Sequence, residues 1–166
     1  ASEDVLSGKI HWESSPIVDY SFTKDYTKRF SVYNLESQDE NKSVSSSFKD
    51  SLIKRYRPTT ITSEGLPSNF QNRAKNHAMR TIGNSIKLQI KVKNFYTNQG
   101  ELYEPNKLIY VYHEILGIDQ QMLIESVNYV VDKNEYFTNL SLVDPRAYFA
   151  PKTKINESIV SFWLKV

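Results

Sequence analysis

The most regular alternation in the chain is Ile86-Lys87-Leu88-Gln89-Ile90-Lys91-Val92-Lys93. Every second position is aliphatic, and the positions between them carry three lysines and one glutamine. Successive side chains of an extended strand point to opposite faces, so this segment would have one apolar face and one basic face. The pattern predicts a β-strand that covers a core with its apolar side.

Further strands are predicted on both sides of this segment. Downstream, three apolar runs are separated by turn residues, and the turn at 132–134 joins the last two into a hairpin: residues 108–113, 122–131 and 136–143. Upstream, four shorter segments have strand-like sequences: residues 8–13, 27–35, 44–48 and 59–62. Strands at this spacing are typical of a small antiparallel barrel or sandwich, so a mainly β fold is expected.

One helix is predicted, from Pro67 to Ile82. Ser68 or Asn69 can cap its start, and Gly83 can supply a left-handed turn after its last residue. An apolar stripe recurs at helical spacing: Phe70, Ala74, His77, Ala78 and Ile82. A lone histidine on such a stripe is expected to be a core residue rather than a ligand.

The composition of the 166 residues limits the kinds of site that are possible. The chain has no cysteine, which excludes disulfides and thiolate metal sites and fits assembly in a reducing cytoplasm. No apolar run reaches the roughly 18 residues of a membrane-spanning helix, and residues 1–4 lack the start of a signal peptide. No membrane partner is therefore expected. The 11 Tyr, 8 Phe and 2 Trp favour half-buried sheet surfaces.

Positive charge is concentrated in the middle of the chain. Residues 51–93 contain nine Lys or Arg and one acid, a charge of +8, whereas the whole chain has +2 and the remainder therefore −6. Lys87, Lys91 and Lys93 share one face of the alternating strand and form a candidate interface. Three interpretations stay open: a solvated face, a contact with an acidic neighbouring subunit, and a contact with nucleic-acid phosphates.

No catalytic, metal-binding or cofactor-binding residues are predicted. The three histidines His11, His77 and His113 are far apart, and none has a second ligand at metal-binding spacing. His113 and Glu114 resemble a base with its orienting carboxylate, but neighbouring residues of a strand point to opposite faces. The sequence also has no nucleophile elbow and no glycine-rich phosphate loop.

Two carboxylate pairs are candidates for a hydrolytic dyad. Glu101 with Glu104, and Asp39 with Glu40, fall in polar loops, where a surface role is expected. A glycosidase needs two carboxyl groups at a defined separation, which loop positions do not provide. A cell-wall hydrolase module is therefore a minor alternative.

The last fifteen residues carry a separate apolar run. Ile159, Phe162 and Trp163 are its largest members, and the segment is too short to fold alone. It either packs on its own chain or docks on a neighbour, and the cost of exposing two large aromatic rings favours docking. These three residues complete the candidate interface.

An ordered set of motifs resembles one protein family. Arg55-Tyr56-Arg57-Pro58 precedes the helix, and Gly100-Glu101-Leu102-Tyr103-Glu104-Pro105-Asn106 follows the alternating strand where the family typically has Gly-x-Leu-Trp-x-Pro-Asn. The last motif is Leu140-Ser141-Leu142-Val143-Asp144-Pro145-Arg146-Ala147-Tyr148. Over residues 26–149, this succession is similar to the C-terminal half of the Mu-type contractile-phage tail protein P, related to the late control D family of baseplate hub proteins.

The resemblance implies a structural, non-enzymatic role in a phage or prophage tail baseplate. Hubs of this family are trimers that join the tail tube to the central spike, with two barrels per chain and DNA passing only transiently through the lumen. The virion tail, assembled in the host cytoplasm, is the implied location. Family members are about twice as long, so the chain is expected to be a C-terminal fragment.

The implied barrel is discontinuous in sequence. Residues 27–50 and 85–149 would form it, with 51–84 as an insertion that contains a strand and the helix. Residues 1–26 would be a linker or the end of a preceding domain, and 151–166 an apolar tail.

Overall fold

The computed structural model describes residues 5–37, 45–63, 70–133 and 135–148. Within them the elements are β1 (Val5–His11), β2 (Ile17–Lys24), β3 (Val32–Ser37), β4 (Ser45–Lys49), β5 (Pro58–Ser63), α1 (Phe70–Asn84), β6 (Ile86–Lys93), β7 (Leu108–His113), β8 (Ile118–Asp132), β9 (Glu135–Val143) and a 3-10 turn (Pro145–Ala147). The prediction of a mainly β protein with one helix is confirmed. The chain divides into two compact units.

The larger unit combines the first 24 residues with residues 86–145. Its six-stranded sheet has the order β1-β7-β8-β9-β6-β2. The outermost strands β1 and β2 are consecutive in sequence, so the connection at residues 12–16 links the two sides of the sheet and the sheet curls over its core. No ladder joins β1 to β2 in the described part of the chain.

The alternating segment behaves as its sequence predicts. It forms β6, and Leu88, Ile90 and Val92 are buried, each at most 4% exposed. They belong to a core of side chains from all six strands, among them Ile10, Ile109, Met122, Ile124, Leu140 and Leu142. Burying such a side chain stabilises a fold by roughly 1.5–3 kcal/mol, so this core is the main stabilising feature of the larger unit.

The strand pairing corrects the expectation of an antiparallel barrel. Five strands pair antiparallel, but β1 lies parallel to β7, with Val5 opposite Leu108. The sheet is therefore mixed, and β1 enters it from a distant part of the sequence. Side-chain alternation shows which face of a strand is buried, but it contains no information about the partner strand.

The smaller unit contains residues 25–85 and, among the described residues after them, 146–148. Its three-stranded sheet has the order β4-β3-β5, and α1 packs against β3 and β4. Ala74 and Leu35 form the centre of its core, with Phe48 and Ile61 packed around them. Small alanines on the buried side of α1 let the helix lie close to the sheet.

The strands divide between the two units differently from the sequence-based domain assignment. Residues 5–24, assigned to a linker or a preceding domain, provide both outer strands of the large sheet. Residues 27–50, assigned to the barrel, form β3 and β4 of the smaller unit, so the insertion runs over residues 25–85. The strand β2 was not predicted, although Val18, Tyr20 and Phe22 alternate with polar residues.

Two expectations for the helix need correction. His77 is exposed beside the ring of Tyr33, at a centroid distance of 5.9 Å, and is not a core residue. Gly83 lies inside α1 with no left-handed φ. Glycine is required there by close packing, because a Cβ would overlap the backbone nitrogen of Ala147. The predicted caps Ser68 and Asn69 lie outside the described residues.

A buried ion pair links the two ends of the β3–β4 hairpin. The Nη2 and Nε atoms of Arg29 donate to Oδ2 of Asp50 at 2.7 and 3.2 Å, and both side chains are 3% exposed. Oδ1 of Asp50 accepts a further hydrogen bond from the backbone of Leu52 at 3.1 Å. The guanidinium also lies over the Tyr26 ring at 4.9 Å, so both charges are well partnered.

We expect Asp50→Ala to destabilise the protein by about 3–5 kcal/mol, because it leaves the Arg29 charge buried without its partner. Urea unfolding followed by circular dichroism measures the loss. Glu135→Ala is the matched control, since it breaks the exposed pair with Lys93 and should cost at most about 1 kcal/mol. Equal effects of the two substitutions would contradict the role of the buried pair.

Candidate interaction surfaces

The predicted lysine face exists, but much of its charge is locally compensated. Nζ of Lys91 lies 4.2 Å from the ring centroid of Phe137, and Asp19 is the register partner of Lys91 on β2. Nζ of Lys93 lies 3.6 Å from Oε1 of Glu135. Lys87 is exposed, with Thr23 as its partner on β2. The spacing of the three lysines in the sequence predicted that they share one face. The residues that compensate their charge lie on other strands, so that spacing could not predict them.

The same face forms a shallow polar groove across β2, β6, β9 and β8. Its volume is about 330 Å³, and apart from Asp19 and Lys91 its polar lining side chains are uncharged: Ser21, Gln89, Ser126, Asn128, Asn139 and Ser141. One acid and one base give the lining no net charge. Such a surface is hydrophilic but offers little electrostatic attraction to phosphate.

A second surface, the hairpin-tip patch, lies at the end of the β8–β9 hairpin and consists of Phe95, Tyr129, Val131 and Tyr136. The Phe95 ring makes edge contacts with Tyr129 at 5.1 Å and Tyr136 at 5.5 Å. Val131 is 64% exposed and Tyr136 is 52% exposed. Clustered apolar exposure of this kind is typical of surfaces that bind other proteins.

A hydrogen bond to a neighbouring loop fixes Tyr129 within the hairpin-tip patch. The Tyr129 hydroxyl donates to the carbonyl oxygen of Tyr103, and burial followed by the nearby Glu104 and Tyr96 raises the pKa of Tyr129. Sequence reasoning missed the patch because alternation assigns Tyr129 and Val131 to the core side of β8. They do lie on that side, but they extend past the end of the core.

The motif Gly100–Asn106 has a clear structural reason. Gly100 and Asn106 both adopt left-handed backbone conformations, with φ values of 80° and 64°. Tyr103, at the position where the family typically has tryptophan, is 4% exposed, and burial raises its pKa to about 12. An aromatic residue therefore fills the expected place in the core.

The histidines do not form a catalytic or metal-binding group. His113 is 3% exposed and packs against the rings of Trp12 at 4.1 Å and Tyr20 at 5.6 Å, whereas Glu114 is exposed. Nδ1 of His113 accepts a hydrogen bond from the backbone of Leu116 at 3.3 Å, and burial lowers its pKa. Among the described residues, no cluster of three His, Cys, Asp or Glu could hold a metal ion.

The carboxylates considered for hydrolysis have structural partners. Oε2 of Glu101 accepts a hydrogen bond from the backbone of Gly8 at 3.0 Å, which lowers the pKa of Glu101. Glu104 pairs with Lys107 at 2.8 Å. Asp39 and Glu40 lie outside the described residues, as do the tail residues Ile159, Phe162 and Trp163.

Residues 67–151 match the model of the Mu phage baseplate assembly protein GpP, fourth domain. The match spans slightly more than half of the chain. The chain belongs to this family. The motif resemblance implied the same family.

Solved structures of phage tail proteins share the fold. The 43 kDa tail protein of prophage MuSo2 from Shewanella oneidensis is 25% identical with a TM-score of 0.77, over 91% of this chain and 46% of that one. A tail protein from Neisseria meningitidis MC58 is 20% identical with a TM-score of 0.71, over 86% of this chain and 45% of that one. This chain thus spans less than half the length of either protein. No curated protein matches it in sequence.

No helix among the described residues has the length and apolar character needed to cross a membrane.

Acid should weaken the fold through His113. The folded-state pKa of His113 lies below its ordinary value of 6.5, so the unfolded chain takes up a proton at a higher pH than the folded chain does. The stability that the neutral form of His113 contributes is therefore fully present above about pH 6.5. It is lost as the pH falls below that value. His113→Phe should flatten the dependence of the urea midpoint on pH between 7.5 and 5. His77→Gln should flatten it less, because His77 is exposed; the reverse order would contradict this assignment.

Duplex DNA should not be held by the lysine face. If Lys87, Lys91 and Lys93 each neutralised a phosphate, replacing all three by Gln would reduce the slope of log affinity against log salt by about 2.7. We expect an unchanged slope in fluorescence anisotropy, since two of the three lysines have other partners. Replacement of the exposed Lys54 and Arg55 by Gln serves as the control for non-specific basic contacts.

Proposed function

We propose that the chain is part of a baseplate hub subunit that forms a homotrimer in the intact protein and joins the tail tube to the central spike. The match of residues 67–151 to a baseplate assembly family carries the proposal. The fold shared with a MuSo2 prophage tail protein supports it. In this proposal the protein resides in the virion tail, assembles in the host cytoplasm and has no catalytic activity.

The surfaces of the larger unit are suited to a subunit of such an assembly. The hairpin-tip patch exposes Tyr129, Val131 and Tyr136, which a monomer would leave in water. The polar groove has no net charge on its lining side chains, so it can face a lumen through which DNA passes transiently without being held. Assembly requires surfaces that fit one another, whereas catalysis requires titratable groups that converge on one site.

The C-terminal segment belongs to the same proposal. Ile159, Phe162 and Trp163 would dock on a neighbouring subunit or on the spike, where their apolar surface is removed from water. Neither alternative function has comparable support. The lysines that would contact nucleic acid largely have other partners, and Glu101 and Glu104, the candidate acids within the described residues, bind Gly8 and Lys107.

Light scattering of the intact protein over a range of concentrations tests the proposal. We expect a mass that rises towards three times the mass of one intact chain. Val131→Lys should weaken this association, because it places a charge in the hairpin-tip patch. Ile115→Lys is the matched control, since Ile115 is 87% exposed at the β7–β8 turn, away from that patch. Deletion of residues 155–166 should reduce assembly without unfolding the larger unit.

A monomer at every concentration, for both the wild type and the control, would contradict the trimer.

A further inference from the structure

The positive charge of residues 51–93 divides between the two units. The three lysines of β6 lie in the larger unit, and the other six Lys or Arg lie in the smaller unit. Three of these six, Lys54, Arg55 and Arg57, are exposed on the loop between β4 and β5. Among the described residues, no carboxylate lies within ion-pair distance of any of the three. This loop therefore carries positive charge that the smaller unit does not neutralise by ion pairing.

The buried residue Ser31 closes this loop at its base. The Ser31 carbonyl accepts a hydrogen bond from the Asp50 N–H at 2.9 Å, and the Ser31 hydroxyl accepts one from the Arg57 N–H at 2.7 Å. The Ser31 N–H donates to the Arg57 carbonyl at 2.8 Å. Oδ1 of Asp50 also accepts a bond from the Leu52 N–H at 3.1 Å. Both ends of the loop are thus fixed, which lowers the ordering cost of binding through its side chains.

The Arg57 side chain joins the loop to the segment that precedes β3. Its Nη2 atom donates to the Thr27 carbonyl at 2.6 Å, and its guanidinium lies 4.7 Å from the centroid of the Phe30 ring. Lys28, next to Thr27, is exposed and adds a fourth cation to this region. The neighbouring acid Asp25 accepts hydrogen bonds from the Thr27 N–H at 2.8 Å and from its hydroxyl at 2.6 Å. The basic loop surface is defined as Lys28, Lys54, Arg55, Tyr56 and Arg57.

Tyr56 is the aromatic residue of the basic loop surface. It is 79% exposed, and within the described part of the chain neither a ring nor a cation packs against its ring. Tyr26 differs, because it is 45% exposed and the guanidinium of Arg29 lies 4.9 Å from its ring centroid. Tyrosine and arginine are enriched among the residues that contribute most to protein interfaces. An uncovered tyrosine between Arg55 and Arg57 therefore has the composition of an interface centre.

We propose that the basic loop surface docks on an acidic surface of a neighbouring protein in the tail. The inference rests on the proposed function, since it takes the partner from the same tail. Carboxylates of the partner pair with Lys54, Arg55 and Arg57, because a guanidinium can bind a carboxylate through two parallel hydrogen bonds. An apolar recess of the partner removes the Tyr56 ring from water. Opposite charges on the two surfaces also speed their encounter and fix their orientation.

The arrangement favours a protein partner over nucleic acid. Affinity for DNA grows with the number of phosphates that Lys and Arg neutralise, and the four cations of this surface would release few counterions. Single strands are held by several rings on which successive bases stack. Tyr56 offers one uncovered ring, because Arg29 lies over the ring of Tyr26. A single ring with an arginine on each side fits one recess of a protein better than a run of bases.

Fluorescence anisotropy with labelled peptides tests the inference on this chain. The probes are three peptides of equal length, built from Glu-Glu-Leu repeats, Gln-Gln-Leu repeats and Glu-Glu-Gly repeats. We expect the Glu-Glu-Leu peptide to bind most tightly, the Glu-Glu-Gly peptide to bind more weakly, and the Gln-Gln-Leu peptide to show no saturable binding. The loss with Gln measures the contribution of charge, and the loss with Gly measures the apolar contact with Tyr56.

Substitutions at exposed positions locate the binding site. Arg55→Glu should weaken binding of the Glu-Glu-Leu peptide at least about tenfold, as at an interface hot spot. Lys9→Glu is the matched control, because it reverses the same charge at an exposed site on β1 of the larger unit and should have little effect at physiological salt. Tyr56→Ser should abolish the preference for the Leu peptide over the Gly peptide, whereas Tyr56→Phe should keep it. Circular dichroism spectra should be unchanged in all four variants.

Three results would overturn the inference. The first is the absence of saturable binding of the Glu-Glu-Leu peptide, and the second is an equal effect of Arg55→Glu and Lys9→Glu. The third is tighter binding of duplex or single-stranded DNA that is lost in Arg55→Glu, which would make the surface a nucleic-acid site.

Light scattering of the intact protein keeps this inference apart from the proposed function. A trimer whose chain does not bind the Glu-Glu-Leu peptide would overturn the docking surface and leave the hub proposal standing. A monomer whose chain binds the peptide through Arg55 would contradict the hub trimer and leave the docking surface standing.

Discussion

The ladder between β2 and β6 is the constraint on which both units depend. Lys24 is the partner of Ile86, and the next residues, Asp25 and Ser85, are joined by a backbone hydrogen bond. The chain therefore leaves and re-enters the large sheet at a single point. Because the ends of this segment are held together, the 61 residues from 25 to 85 can form a unit of their own without interrupting the sheet. The same ladder keeps β2 in the sheet, although most of its side chains are exposed.

Sequence reasoning succeeded where a local pattern determines the outcome. The strand β6 needs only alternation, the β8–β9 hairpin needs a short turn between two apolar runs, and the helix needs an apolar stripe. Each was predicted with nearly the observed limits. The buried position of Tyr103 also follows from its motif, because an aromatic residue there has few alternatives.

The remaining features depend on distant partners. Nothing near β1 in sequence indicates that it lies parallel to β7, and the exposed side chains of β2 conceal its role as an outer strand. Gly83 was expected to end the helix, but it is required by the backbone of Ala147. The charge on Lys93 could not be discounted until Glu135 was seen beside it. Spacing in the sequence shows which residues share one face of a strand. The residues that pair with them lie far away in sequence and become known only from the fold.

The parallel pairing of β1 has a consequence for the order of folding. Gly8 and Glu101, which seal this edge together, are 93 positions apart. During synthesis β1 and β2 emerge before their partner strands, so β2 must wait for β6, and β1 for β7. The smaller unit has its strands and helix contiguous in sequence, so it can form earlier, and contacts of such large separation are slow to form. The strands β1 and β2 thus remain without their partners while the intervening residues are made, and the nascent chain must keep them from pairing elsewhere.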